Sequence, residues 1–186
     1  MQAAGGASLS DADESSVASS GTGKARLRLL FAVVAIVCLI ADQVAKALAV
    51  AHLTPGEPRR LVGSLLRLDL TRNPGAAFST GTSHTEWFAA LAIIATVVAI
   101  WYGLKAGTRA WAVALGILTA GIAGNLVDRI VRAPGGFRGH VVDFLELPHW
   151  PIFNVADVCI TVAAVLILLQ AARGERLSGS GDEDER

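Results

Sequence analysis

The sequence has no surplus of charge of either sign: 16 Lys and Arg stand against 16 Asp and Glu, for a formal net charge of zero. With that balance, and no basic stripe interleaved with aromatics, the chain lacks the field by which nucleic-acid binders gather their ligand. Cysteine is scarce as well. Cys38 and Cys159 both fall inside apolar runs with no CxxC or Cys/His spacing, which reads as small apolar filling rather than a disulfide or a metal pair. There is no GxSxG for a serine elbow and no HExxH for a zinc peptidase. His52, His84, His140 and His149 are too scattered to suggest a site by spacing, and His140 and His149 read as ordinary interfacial residues. No metal or cofactor is expected, and no internal repeat is visible.

What the chain does have is hydrophobicity. Apolar residues make up 53% of it and the mean hydropathy is +0.52, more than a soluble domain of this size carries. They gather in runs over residues 29 to about 51, 87 to about 104, 110 to about 131 and 152 to about 172. Each run is roughly 18–23 residues, long enough at about 1.5 Å per residue to cross a hydrocarbon core about 30 Å thick. A soluble four-helix bundle would need a polar face on every helix, and residues 160–169 offer only Thr161. The expectation is an all-α membrane protein of four transmembrane helices. Lys24, Arg26 and Arg28 ahead of the first run, with Ala47-Leu48-Ala49 inside it, imitate a cleavable signal peptide. Three further spans make an uncleaved anchor the simpler reading.

Residues 1–26 and 174–186 are rich in small and acidic side chains and read as disordered tails around a domain over 27–173. Four spans place both tails on one side. Lys24, Arg26, Arg28, Lys105, Arg109, Arg173 and Arg176 make that side cytoplasmic under the positive-inside rule, although six arginines lie in the opposite loops. Between spans one and two, Pro55-Gly56-Glu57-Pro58 breaks the helix. From Leu66 the chain alternates apolar with polar, which predicts a strand and, with it, a small extracytoplasmic sheet on the membrane. Between spans three and four a short loop or helix is expected, its apolar residues 141–145 turning back toward the bilayer.

Ionisable side chains in or near a bilayer need a partner, a hydrated cavity or a function. Asp42 and Lys46 fall late in span one, Asn125, Asp128 and Arg129 late in span three, and Asn154 and Asp157 at the start of span four. In alternately crossing helices all of these reach one leaflet, which points to a single hydrated pocket there. Asn125, Asp128 and Arg129 share a face at i, i+3, i+4. Gly116, Ala120 and Gly124, with Gly121 adjacent, form a small-residue row that invites close helix approach. Asp42 and Lys46 have the spacing of an intrahelical ion pair, structural or in contact with substrate. Asp128 and Arg129 read as a bridge bracing the pocket. The segment from Asn73 through Pro74 and Gly75 to Phe78 is a turn whose amide could also bind an extended peptide. Asp143 and Asp157 have no basic partner at helical spacing. Two carboxylates in a poorly solvated pocket do not both ionise readily, so one can take a proton from water while the other donates one. A proton-coupled transporter using Asp42, Asp128 and Asp157 as a relay is the rival, but the inner half of each span is almost uncharged.

The segments Asp42-Gln43-Val44-Ala45-Lys46, Asn73-Pro74-Gly75-Ala76-Ala77-Phe78-Ser79, Gly124-Asn125-Leu126-Val127-Asp128-Arg129, His140-Val141-Val142-Asp143-Phe144 and Phe153-Asn154-Val155-Ala156-Asp157 occur in one order. In them the chain, over residues 27–173, resembles lipoprotein signal peptidase, or signal peptidase II, the intramembrane aspartyl peptidase of bacteria. The resemblance implies that Asp143 and Asp157 are a catalytic dyad and that Asn73, Asn125, Arg129 and Asn154 line or brace the substrate site. It makes Asp42, Lys46, Gly75, Gly124, Asp128 and Ala156 supporting positions. It also implies an extracytoplasmic β-cradle, a place in the bacterial cytoplasmic membrane, and a prolipoprotein substrate carrying diacylglycerol on a cysteine and cleaved just before it.

Overall fold

The computed structural model of the chain describes residues 9–75 and 85–178. Four helices account for most of it: α1 (Leu9–His52), α2 (Thr85–Gly103), α3 (Arg109–Val131) and α4 (Val155–Ala172). All four are long and apolar enough to span a bilayer, over Thr22–His52 in the case of α1. The exposed surfaces confirm the solvent they are built for. Leu29, Ile36, Ile40, Val44 and Leu48 on α1 and Leu91, Ile94 and Val97 on α2 all face outward, an arrangement that hydrocarbon favours and water does not.

The helical backbone of α1 runs back to Leu9, through part of the stretch expected as a tail. Extending an existing helix adds one hydrogen bond per residue fixed, so polar residues join it at far lower cost than they could nucleate one.

Helix α3 is central and packs on α1, α2 and α4. Its glycines permit this. A Cβ at Gly116 would lie 2.9 Å from the Phe31 carbonyl of α1, and one at Gly121 would lie 2.6 Å from the Ala156 carbonyl of α4. At Gly124 a methyl would meet Asp42 Oδ2 at 2.5 Å and the Ala156 methyl at 3.2 Å. Gly124→Ala is therefore expected to cost about 1–3 kcal/mol through overpacking. Gly23→Ala, in open space on α1, should be neutral or slightly stabilising. Thermal unfolding of the two variants in detergent checks the contrast, and equal melting temperatures would refute the close approach.

At one end of the bundle lies a three-stranded antiparallel sheet, β1 (Arg59–Val62), β2 (Leu66–Asn73) and β3 (Val141–Glu146), in that order. Gly63, at φ +53°, makes the turn from β1 to β2 in a conformation that L side chains rarely adopt. Strand β2 is the one the alternation from Leu66 predicts. The connection between spans three and four, expected as a loop or short helix, also contains strand β3, which pairs with β2 from Arg67↔Glu146 to Asn73↔Val141. Residues 141–144 are all buried, so neither face supplies the polar positions that would expose a period of two. One face of the sheet sets Leu70, Val142 and Phe144 against Ala49 of α1. The other carries Thr71, Asn73, Val141 and Asp143. Backbone bonds between Leu145 and Phe153, at 2.8 and 2.9 Å, pin the following loop to β3 and lead the chain into α4.

Candidate active site

The site begins with an ion cluster. Lys46 is fully buried, 3.0 Å from Asp42 Oδ2 and 2.8 Å from Asp128 Oδ2, with both carboxylates at most 1% exposed. Asp42 Oδ1 accepts from the Ala156 N–H at 2.9 Å, and Asp128 Oδ2 accepts from the Val142 N–H at 3.2 Å. Arg132 reaches Asp128 Oδ1 at 2.5 Å. Two anions and two cations thus tie α1, α3, β3 and α4 together at one depth. The Asp42–Lys46 pair is as the spacing predicts. The Asp128–Arg129 bridge is not formed: neighbouring residues on a helix point about 100° apart, so Asp128 turns to Lys46 while Arg129 donates through Nη2 to the Gly75 carbonyl at 2.7 Å. The Arg129 guanidinium also lies 5.6 Å from the Phe88 ring centre of α2.

Outside the cluster are the amides. Lys46 Nζ donates to Asn125 Oδ1 at 3.0 Å, and because an ammonium only donates, that contact fixes which way Asn125 faces. Its Nδ2 is turned to Asp157 Oδ1, at 2.9 Å. Asn154 is the N-cap of α4. Its Oδ1 accepts from the Asp157 N–H at 3.0 Å, and its own N–H donates to Asp157 Oδ2 at 3.1 Å, a capping box that holds the carboxylate still. Asn154 Nδ2 donates to Asp143 Oδ1 at 2.6 Å and to Asn125 Oδ1 at 3.1 Å. Asn73 Nδ2 donates to Asp143 Oδ2 at 3.1 Å, while its Oδ1 accepts from the Gly75 N–H at 3.0 Å and closes the turn. Register explains the reach from β2: Asn73 lies opposite Val141 and Thr71 opposite Asp143, so Asn73 and Asp143 are diagonal neighbours on one face.

Asp143 and Asp157 both line a cavity of about 410 Å³ with Asn73, Gly75, Asn125 and Arg129. Asp143 is 3% exposed, and neither carboxylate has an ion-pair partner among the described residues. Burial, and next the charge of Asp157, raise the Asp143 carboxyl to about 6, against the hydrogen bonds from Asn73 and Asn154 that favour its ionised form. A carboxyl in that range can hold or release a proton near neutrality. Among the described residues no cluster of His, Cys, Asp and Glu could hold a metal ion.

The structure thus brings together the residues singled out from the sequence on five separate segments, and it adds others. Gln43 donates to Asp42 Oδ2 at 3.0 Å and to the Gly124 carbonyl at 3.1 Å. Gly139 donates to the Arg129 carbonyl at 2.9 Å, where a Cβ would strike the Asp128 carbonyl. Arg132, one of the six arginines that the sequence puts in the loops opposite the tails, belongs to the ion cluster, and its i, i+4 spacing from Asp128 is the available signal. Residues 76–79 of the Asn73 segment, and His84, lie outside the described residues. His149 is exposed and His140 half-buried, and neither lines the cavity. Cys38 and Cys159 are free thiols.

Four apolar spans around a paired-carboxylate pocket at one end form the architecture of a membrane-embedded aspartyl peptidase. The family model for signal peptidase (SPase) II matches residues 34–173, and the chain belongs to that family. It is 47% identical over 146 residues to the lipoprotein signal peptidase of Mycolicibacterium smegmatis, covering 78% of this chain and 61% of that protein, less than two thirds of its length. With the lipoprotein signal peptidase of Mycobacterium avium it shares 47% identity over 150 residues, 80% of this chain and 81% of that one. The fold is similar to a bacterial membrane enzyme solved by the in meso method at 2.3 Å resolution, with a TM-score of 0.69 and 25% identity, over 84% of this chain and 92% of that one. A second in meso structure of a bacterial membrane enzyme, at 1.9 Å resolution, gives a TM-score of 0.66 and 27% identity, over 76% of this chain and 91% of that one.

Proposed function

We propose that Asp143 and Asp157 are the catalytic dyad of this peptidase, and that its substrate is a prolipoprotein bearing diacylglycerol on the cysteine after the scissile bond. The observation that carries the dyad is that two carboxylates without cationic partners share one cavity, each oriented by two hydrogen-bond donors. One carboxylate removes a proton from a water in the cavity. The water oxygen attacks the peptide carbonyl carbon while the other carboxylic acid donates to the carbonyl oxygen, giving a tetrahedral diol. Collapse breaks the C–N bond as a proton passes to the leaving nitrogen, which becomes the amine of the lipidated cysteine. Arg129, whose Nη1 is buried and has no hydrogen-bond partner among the described residues, would donate to a peptide carbonyl.

In this reading the sheet and the dyad face the extracytoplasmic side of the bacterial cytoplasmic membrane, and both termini are cytoplasmic. The basic residues at the opposite end of the bundle support the orientation, and the relatives' names support the lipoprotein substrate.

Cleavage of a synthetic prolipoprotein peptide carrying diacylglyceryl cysteine is compared with that of the same peptide carrying free cysteine. Lipid anchoring confines the substrate to the membrane and pre-aligns the scissile bond, so kcat/KM for the lipidated peptide is expected to be greater by roughly 10²-fold or more. Equal rates would remove the lipid from the substrate definition and leave a general membrane peptidase.

A further inference from the structure

The end of the bundle away from the dyad holds a second concavity. It lies between the first turn of α3 and the last turns of α4, has a volume of about 320 Å³, and is lined by Arg109, Val113, Leu166, Leu169, Gln170 and Arg173 among others. Its chemistry is divided. Val113, Leu166 and Leu169 form an apolar wall along the helices, whereas Arg109 and Arg173 stand exposed at its mouth. Neither arginine has an ion-pair partner among the described residues.

Gln170 sits between the two halves. It is 4% exposed, and its Nε2 donor has no hydrogen-bond partner among the described residues. A buried amide without an acceptor is unfavourable unless something supplies one, and Gln170 is among the residues that line the groove. The start of α3 adds to the same polarity. Thr108 Oγ1 accepts from the Trp111 N–H, while the N–H groups of Arg109 and Ala110 have no acceptor within the helix. Two guanidinium groups, an unsatisfied amide donor and the positive end of a 23-residue helix all call for an anion with several acceptor oxygens. The apolar wall below them calls for a hydrocarbon chain attached to it.

We propose that this groove is a binding site for one anionic glycerophospholipid of the leaflet opposite the dyad, with its phosphate held by Arg109, Arg173 and the Gln170 amide and an acyl chain along Val113, Leu166 and Leu169. The site is remote from the cleavage chemistry and does not depend on the peptidase reading. Occupied, it links the start of α3 to the end of α4, the two helices that carry Asn125, Asn154 and Asp157 at their other ends.

The test is native mass spectrometry of the full chain released from detergent, titrated with phosphatidylglycerol, with phosphatidylcholine and with glycerol 3-phosphate. One phosphatidylglycerol is expected to remain bound in preference to phosphatidylcholine. Arg109→Gln with Arg173→Gln should weaken it by about tenfold or more, as loss of charge-assisted hydrogen bonds does. Gln170→Leu, which keeps the volume and removes the donor, should weaken it by roughly threefold to tenfold. Arg59→Gln with Arg60→Gln, exposed at the sheet end, should change nothing. An equal effect from that pair would mean unspecific charge attraction and overturn the site, and binding of glycerol 3-phosphate as tight as that of the lipid would make it a soluble-anion site. A photoactivatable phosphatidylglycerol on the wild-type chain needs no variant: label on residues 109–113 and 166–173 supports the proposal, and label confined elsewhere defeats it.

Discussion

Asp143→Asn and Asp157→Asn are each expected to lower the rate of cleavage of a lipidated prolipoprotein peptide by roughly 10²- to 10⁴-fold, the range for loss of a general acid or base. Both variants should still insert and fold, since an amide occupies the volume of the carboxylate and can keep accepting from one of its two donors. The pH dependence separates the dyad from a merely structural pair. Asp143 has its carboxyl raised to about 6, so below that value it carries the proton the mechanism needs and above it the singly protonated pair is depleted. In the free enzyme kcat/KM should therefore decline as the pH rises beyond about 6. Bound substrate excludes water, penalises the ionised form further, and should move the corresponding limb of kcat to higher pH.

Stability follows the same proton. The folded chain binds it more tightly than the unfolded chain does. Between about pH 4 and about pH 6 stability accordingly falls as the pH rises, and above that window the ionised Asp143 costs on the order of 3 kcal/mol. Asp143→Asn removes the titrating group, so its melting temperature should be flatter than that of the wild type from pH 4 to 7. A variant that processes substrate at the wild-type rate, or one that loses activity only by unfolding, would exclude the residue from the chemistry.

Lys46→Met should be the most destabilising single change in the site. It leaves Asp42 and Asp128 facing one another in a buried space, with Arg132 on Asp128 as the remaining cation of the cluster, and breaking a buried pair on one side costs on the order of 3–5 kcal/mol. The same change removes one of the two donors to Asn125 Oδ1 and leaves Asn154 Nδ2 as the other, which loosens the amide that donates to Asp157. Activity should fall even in conditions where the variant remains folded. Adding Asp42→Asn to Lys46→Met removes one unpaired charge and should recover part of the melting temperature but not the activity. A single variant as stable as the wild type would mean that the ammonium is not holding the helices together.

The four spans were legible because each is a continuous apolar run, a signal that needs no tertiary partner. Strand β2 was legible because its alternation survives on a sheet with one face against the bundle. Strand β3 was not, since its partner lies about seventy residues earlier and burial of both faces erased its periodicity. The gathering of acidic and amide residues at one end followed from counting helix directions. Which of them pair did not: adjacent Asp128 and Arg129 serve different parts of the site, while Gln43 and Arg132 join through rotamers that spacing alone does not choose. Gly124 was flagged by its small-residue row. Gly139 belongs to no row, and its role rests on a loop returning over the end of α3.

Helices α2 and α4 both pack on α3 and have little contact with each other. The cavity wall runs out along Ile160 and Thr161 of α4 to the lipid-facing surface. For the lipid-anchored substrate proposed above, entry from that flank would turn the encounter between enzyme and substrate into a search over an area instead of a volume. Turnover in a cell would then track how many substrate molecules share each patch of bilayer, and diluting the membrane with extra lipid would slow it as surely as an inhibitor.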